Sequence, residues 1–167
     1  MPLYQKHIAK KLIPLNNTLF SGFLKNQINK DIHQTHLFEG RYENIYLNEK
    51  HIPELTTLID YAINQAENIL KIRGLRAGYW FNYMPPGSTT TLHTHDDDDE
   101  LLSAVYYVYV PKDSGNLIIY SKDNQEKTEI TPSAGEFIFF KPDVKHEVSR
   151  NNSSEHRLSI GINFGKK

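Results

Sequence analysis

The sequence predicts a mainly β fold with flanking helices (α+β), arranged as a double-stranded β-helix or jelly-roll barrel. Three observations carry that expectation. After Gly74 the hydrophobic period changes from the helical repeat to a repeat of two. Eight short apolar runs then follow, separated by turn signals rich in Pro, Gly, Asn, Asp and Ser. Finally, the chain carries 10 Tyr, 8 Phe and 1 Trp, residue types that suit pleated, half-buried surfaces.

The elements follow in order. Residues 1–50 are polar and weakly patterned, with a short strand over 42–47 and a helix over 17–29. The clearest helix spans 53–72, where Ile52, Leu55, Leu58, Ile59, Ala62, Ile63, Ala66, Ile69 and Leu70 recur at i, i+3, i+4, i+7. Pro53 suits its first position and Gly74 its C-terminal cap. An apolar stripe of this kind packs on a sheet. Strands are predicted over 75–83, 88–95, 101–110, 116–121, 126–131, 135–141, 145–150 and 157–164. The 167 residues make one domain: N-terminal strands and a covering helix in 1–74, and the β core in 75–167.

Composition removes several classes of function. At 38% hydrophobic and 23% charged residues the chain is globular rather than disordered. A net charge of −1 and a pI near 6.7 argue against a general nucleic-acid footprint. No apolar run approaches the length of a membrane span, and Met1–His7 has no signal-peptide core. Cysteine is absent, which removes disulfides, thiolate metal sites and cysteine nucleophiles. A cytoplasmic setting is expected, with a homodimer as an assembly option and neither nucleic acid nor membrane as partner.

Any metal site must therefore use His, Asp or Glu. Of the 8 histidines, His7, His33, His36 and His51 sit in the weakly patterned N-terminal third and read singly as surface or satisfied side chains. The C-terminal set differs. His93, His95 and Asp97 alternate, so on an extended chain they share one face. His146 follows a separate strand, Gly135–Lys141. An H-x-[D/H] pair with a distant His matches the facial arrangement of non-haem Fe(II) sites, which leaves one face of the metal open. Arg157 opens the apolar strand Arg157–Phe164. A buried guanidinium needs a carboxylate partner, and its fork suits one bidentately. The acidic run Asp96–Glu100 holds five of the 20 acids and reads either as a solvated loop or as a rim attracting a basic substrate.

Taken together and in order, His93-Thr94-His95-Asp96-Asp97, Leu102–Val108, Pro111–Gly115, Pro132–Phe140, His146-Glu147-Val148 and Arg157-Leu158-Ser159 resemble the Fe(II)- and 2-oxoglutarate-dependent oxygenases, closest to prolyl-hydroxylase-like bacterial members. The resemblance covers residues 79–164, about half the chain. It implies Fe(II), 2-oxoglutarate as cosubstrate and O₂, with succinate and CO₂ released as an unidentified protein side chain or small metabolite is hydroxylated. It implies His146 as the distal iron ligand. Arg157 would meet the distal carboxylate of 2-oxoglutarate, helped by Ser159 and Tyr107, and Tyr83 would line the same pocket. The proximal pair has two registers. Spacing from Gly87, compared with the family's glycine turn, favours His93 and His95. Metal charge favours His95 and Asp97, and places Asp97 ahead of His93 as third ligand. Two other readings compete: a metal cupin using His93, His95, Glu100 and His146, and a non-catalytic ligand-binding barrel.

Overall fold

The structure, a computed structural model, describes residues 1–29, 31–95, 99–123 and 125–167. Two antiparallel sheets face one another. Their strands are β1 (Tyr4–Ile8), β2 (His33–Phe38), β3 (Arg41–Tyr46), β4 (Leu75–Met84), β5 (Thr90–His93), β6 (Glu100–Tyr109), β7 (Leu117–Tyr120), β8 (Lys127–Ile130), β9 (Glu136–Phe140), β10 (His146–Val148) and β11 (Arg157–Lys166). The larger sheet has the order β1-β9-β6-β11-β4-β3-β2, and the smaller one β5-β10-β7-β8. Two helices, α1 (Asn16–Asn26) and α2 (Leu55–Leu70), precede most of the strands.

Alternation along each strand divides the interior in two. Met84, Tyr107, Leu117, Ile119, Ile130, Ile138, Phe140 and Val148 fill the space between the sheets. The opposite face of the larger sheet offers Phe81, Tyr106, Phe137, Phe139, Ile160 and Ile162. Leu55, Leu58, Ile59, Ala62 and Ala66 of α2 cover that face, together with Leu19 and Phe23 of α1. This is the covering role that the helical stripe predicts. Strands β9 and β11 are buried on both faces: β9 is apolar on both beyond Glu136, whereas β11 is apolar toward the helices and carries Arg157, Ser159 and Asn163 on the other face.

The helix ends differ from expectation. Pro53 lies in the turn before α2, whose first bonds run from Thr56 N–H to Pro53 O (3.1 Å) and from Leu58 N–H to Glu54 O (3.4 Å). Lys71, not Gly74, takes the left-handed cap, with φ 57°. Gly74 takes φ 79° at the turn into β4, where Glu67 Oε2 accepts the N–H groups of Gly74 (2.7 Å) and Leu75 (3.2 Å). A side chain thus serves an N–H pair that the helix cannot reach.

Strands β1 and β2 lie outside the predicted set. Strand β1 pairs with β9 at one sheet edge, and the β2–β3 hairpin extends the other edge. The N-terminal third is therefore built into the larger sheet on both sides of the β core. No helix among the described residues is long and apolar enough to cross a membrane.

Candidate active site

The cleft between the sheets, about 190 Å³, is lined by residues from both halves of the sequence. In it His93 closes β5 and His146 opens β10, and the two are paired across the β5–β10 ladder. His95 follows two residues after His93, and its backbone N–H donates to Pro142 O at 2.7 Å. One nitrogen from each of the three imidazoles lies within 4.8 Å of the others. His95 and His146 are buried and His93 half-buried.

The hydrogen bonds fix the tautomers. His93 Nδ1–H donates to Thr91 O at 2.5 Å, and His146 Nδ1–H to Val144 O at 2.9 Å. His95 Nδ1–H donates to Asn163 Oδ1 at 3.0 Å, an oxygen that also accepts from Ser103 Oγ–H at 2.8 Å. Carbonyl oxygens only accept, so each Nδ1 carries a proton, and in the neutral ring the Nε2 is the nitrogen left to hold a metal ion. The Nε2 atoms of His93 and His95 lie 3.0 Å apart. That spacing lets both nitrogens reach one metal ion. Burial, reinforced by His93 and His95, holds the His146 imidazole well below its ordinary titration range, so it stays a neutral donor. This donor set fits a divalent transition-metal ion.

In the same cleft lies Arg157, 1% exposed on β11. Its Nη1–H donates to Gly115 O at 3.1 Å, and its guanidinium carbon lies 5.1 Å from the centroid of the Tyr107 ring. Among the described residues no carboxylate pairs with it; its Nε has no hydrogen-bond partner, and the Tyr107 hydroxyl has none beyond the guanidinium itself. Burial lowers the guanidinium pKa and pushes the Tyr107 phenol up to about 12, so the pair remains a cation and a neutral donor. Gly115 permits the contact. Its φ of 109° suits glycine, and a Cβ there would lie 2.5 Å from Ser149 O and 3.2 Å from Arg157 Nη1.

Period-two alternation explains which neighbours share the cleft. Arg157, Ser159, Gly161 and Asn163 line it from β11, and Trp80 and Asn82 from β4. Gly161 leaves room for the Trp80 indole, which meets the His95 ring edge-on at 5.1 Å. Tyr83 is displaced from its expected place. It falls on the opposite face of β4, between Phe23 (4.9 Å) and His156 (4.5 Å), because odd positions of that strand face the helices. Glu100 is not with the histidines; its Oε1 lies 3.7 Å from Arg76 Nη1. Asp97 lies outside the described residues, as do Asp96 and Asp98.

Sequence reasoning missed Glu43, Trp80, Asn82, Asn163 and His36 as cleft residues. Alternation from Arg157 and from Met84 signals three of them, Asn163, Trp80 and Asn82. Glu43 and His36 come from the hairpin, where no period marks a face.

Two facing antiparallel sheets thus bring three imidazoles together and hold, in the same cleft, a buried arginine that no described carboxylate pairs. The chain belongs to the family described as "Putative 2OG-Fe(II) oxygenase", whose family model matches residues 78–163. It is thus an oxidoreductase of the 2-oxoglutarate-dependent dioxygenase class, using Fe(II), 2-oxoglutarate and O₂. Solved structures share the double-stranded β-helix fold. A Pseudomonas putida prolyl-4-hydroxylase is 20% identical with TM-score 0.71, over 99% of this chain and 93% of its own. The carbocyclase SnoK of nogalamycin biosynthesis is 15% identical with TM-score 0.74, over 98% and 79%. A Trichoplax adhaerens prolyl hydroxylase, solved with a hypoxia inducible factor peptide, is 14% identical with TM-score 0.72, over 98% and 84%. No curated protein sequence matches the chain.

Proposed function

We infer that the iron is held by His93, His95 and His146, and that Arg157, Tyr107 and Ser159 receive the distal carboxylate of 2-oxoglutarate. The observation that carries this reading is the meeting, in one cleft, of three converging imidazoles with a buried guanidinium that no described carboxylate pairs. When bound, the iron supplies oxidative chemistry that no side chain provides. The protein's own part is positional. The Nδ1 bonds to Thr91, Asn163 and Val144 aim the imidazoles. Arg157 and the Tyr107 hydroxyl present matched donors to an anion. Trp80 and Asn82 wall the side on which a substrate C–H bond must lie. That prime substrate is a protein side chain or a small metabolite. A cysteine-free chain needs no oxidising compartment, which supports a cytoplasmic setting.

Metal charge alone favours Asp97 over His93, because a carboxylate offsets one unit of the dication. The geometry supports His93: its Nε2 faces that of His95, and its backbone is paired with that of His146. Metal content after dialysis of the His93→Ala, Asp97→Ala and His146→Ala variants tests the set. The expected result is loss of metal in the two histidine variants and retention in Asp97→Ala. Retention in His93→Ala with loss in Asp97→Ala reverses the assignment.

A further inference from the structure

Among the described residues Glu43 is the buried carboxylate of the cleft, and the reading above gives it no task. It is 5% exposed and comes from β3, in the part of the sequence without a motif. Its Oε2 accepts the Thr91 N–H at 2.8 Å, and its Oε1 accepts the Thr91 Oγ–H at 2.5 Å. The carbonyl of the same Thr91 accepts the Nδ1–H of His93. One residue therefore stands between this carboxylate and a proposed iron ligand. The hairpin is shaped for the reach. Thr35 pairs with Asn44 and Leu37 with Tyr42, but His36 and Glu43 form no pair, and His36 takes a left-handed φ of 62°. Opposite the carboxylate, Arg41 Nη2 lies 3.8 Å from Oε2. Arg41 is held independently by Asn82 Oδ1 (2.9 Å), Thr89 O (2.9 Å) and Thr90 Oγ1 (3.1 Å).

We propose that Glu43 is a positioning residue of the metal centre, acting through Thr91 on His93 and setting a negative charge behind that imidazole. The proposal rests on the three-histidine reading. A dication held by neutral donors keeps its full charge in a poorly solvated cleft, where a nearby anion acts strongly. Fixing Thr91 at both its N–H and its hydroxyl also fixes the carbonyl that orients the His93 ring. Outer partners of this kind typically contribute 10- to 100-fold in metal affinity.

The test uses the full chain. Co(II) affinity is followed through fluorescence of Trp80, the only tryptophan, and the Fe(III)/Fe(II) midpoint potential by spectroelectrochemistry. Glu43→Gln keeps the side chain's shape and removes its charge. It is expected to weaken Co(II) binding about tenfold and to raise the potential, with the melting temperature of the metal-free protein little changed. Arg41→Gln leaves the Glu43 charge uncompensated and is expected to move the potential the opposite way. A purely structural tie between β3 and β5 would shift both variants in the same direction. Should Arg41→Gln fail to fold, Glu43→Asp decides, since it retains the charge and is expected to return the potential toward wild type. A Glu43→Gln protein with wild-type affinity and potential overturns the proposal. His93→Ala reports separately on the reading beneath it: metal retained there removes the three-histidine set itself.

Discussion

Arg157 shows how one side chain can announce a ligand. A guanidinium 1% exposed is costly unless paired, and none of the described carboxylates pairs with it. A charge-assisted bidentate bond contributes about 1.5–3 kcal/mol. Arg157→Ala should therefore weaken 2-oxoglutarate binding by about ten- to a hundredfold, since each 1.4 kcal/mol is about tenfold. Arg157→Lys restores charge without the fork and should fall between the two. Metal affinity should be unchanged in both, and equilibrium titration of each ligand in turn checks the separation. At this scale the sequence was informative where residue chemistry is rare: His93, His95, His146, Arg157, Ser159 and Tyr107 all line the cleft. It was misleading at Tyr83, where a strand register counted one residue differently reverses the face. It was silent on Glu43, whose place depends on a pairing between distant strands.

At the scale of elements, the loop from Pro111 to Gly115 and the helix α2 do different work. Gly115 lets the chain pass against Arg157 and Ser149. Gly115→Ala should lower the melting temperature and weaken 2-oxoglutarate binding together, because the added methyl group meets both neighbours. Leu58 is fully buried in the helix-facing core and remote from the cleft lining. Leu58→Ala should cost about 2–5 kcal/mol of stability while leaving 2-oxoglutarate affinity intact. Denaturant unfolding and ligand titration of both variants separate the roles. The strands after Gly74 were legible because their faces differ or both are buried. Strand β1 was not, since it is a five-residue edge strand with three exposed positions. Strand β2 carries polar residues on both faces, and its left-handed His36 breaks the period.

For the whole molecule, the N-terminal third closes both edges of the larger sheet while the C-terminal part supplies the three histidines and Arg157. A metal bound between β5, β10 and the segment after β5 ties the smaller sheet's strands together. Binding that favours only the folded state stabilises it by about 2.7 kcal/mol at a hundredfold excess over Kd. At about 2–4 °C per kcal/mol for a chain of this size, chelation should lower the melting temperature by about 5–10 °C. His146→Ala should already lack that increment, so a chelator should leave its melting temperature unmoved. Calorimetry with and without chelator checks both.

The three histidines and Arg157 line one cleft, where a dicarboxylate would span the metal and the guanidinium. Anaerobic titration of the Fe(II)-loaded protein with 2-oxoglutarate, followed through the visible metal-to-ligand charge-transfer band, tests that union directly. A saturable band is expected in the wild type, shifted to at least tenfold higher cosubstrate in Arg157→Ala and lost in His146→Ala, as the estimate for a charge-assisted bidentate pair requires. A wild-type protein that binds Fe(II) but develops no band with 2-oxoglutarate would contradict the account.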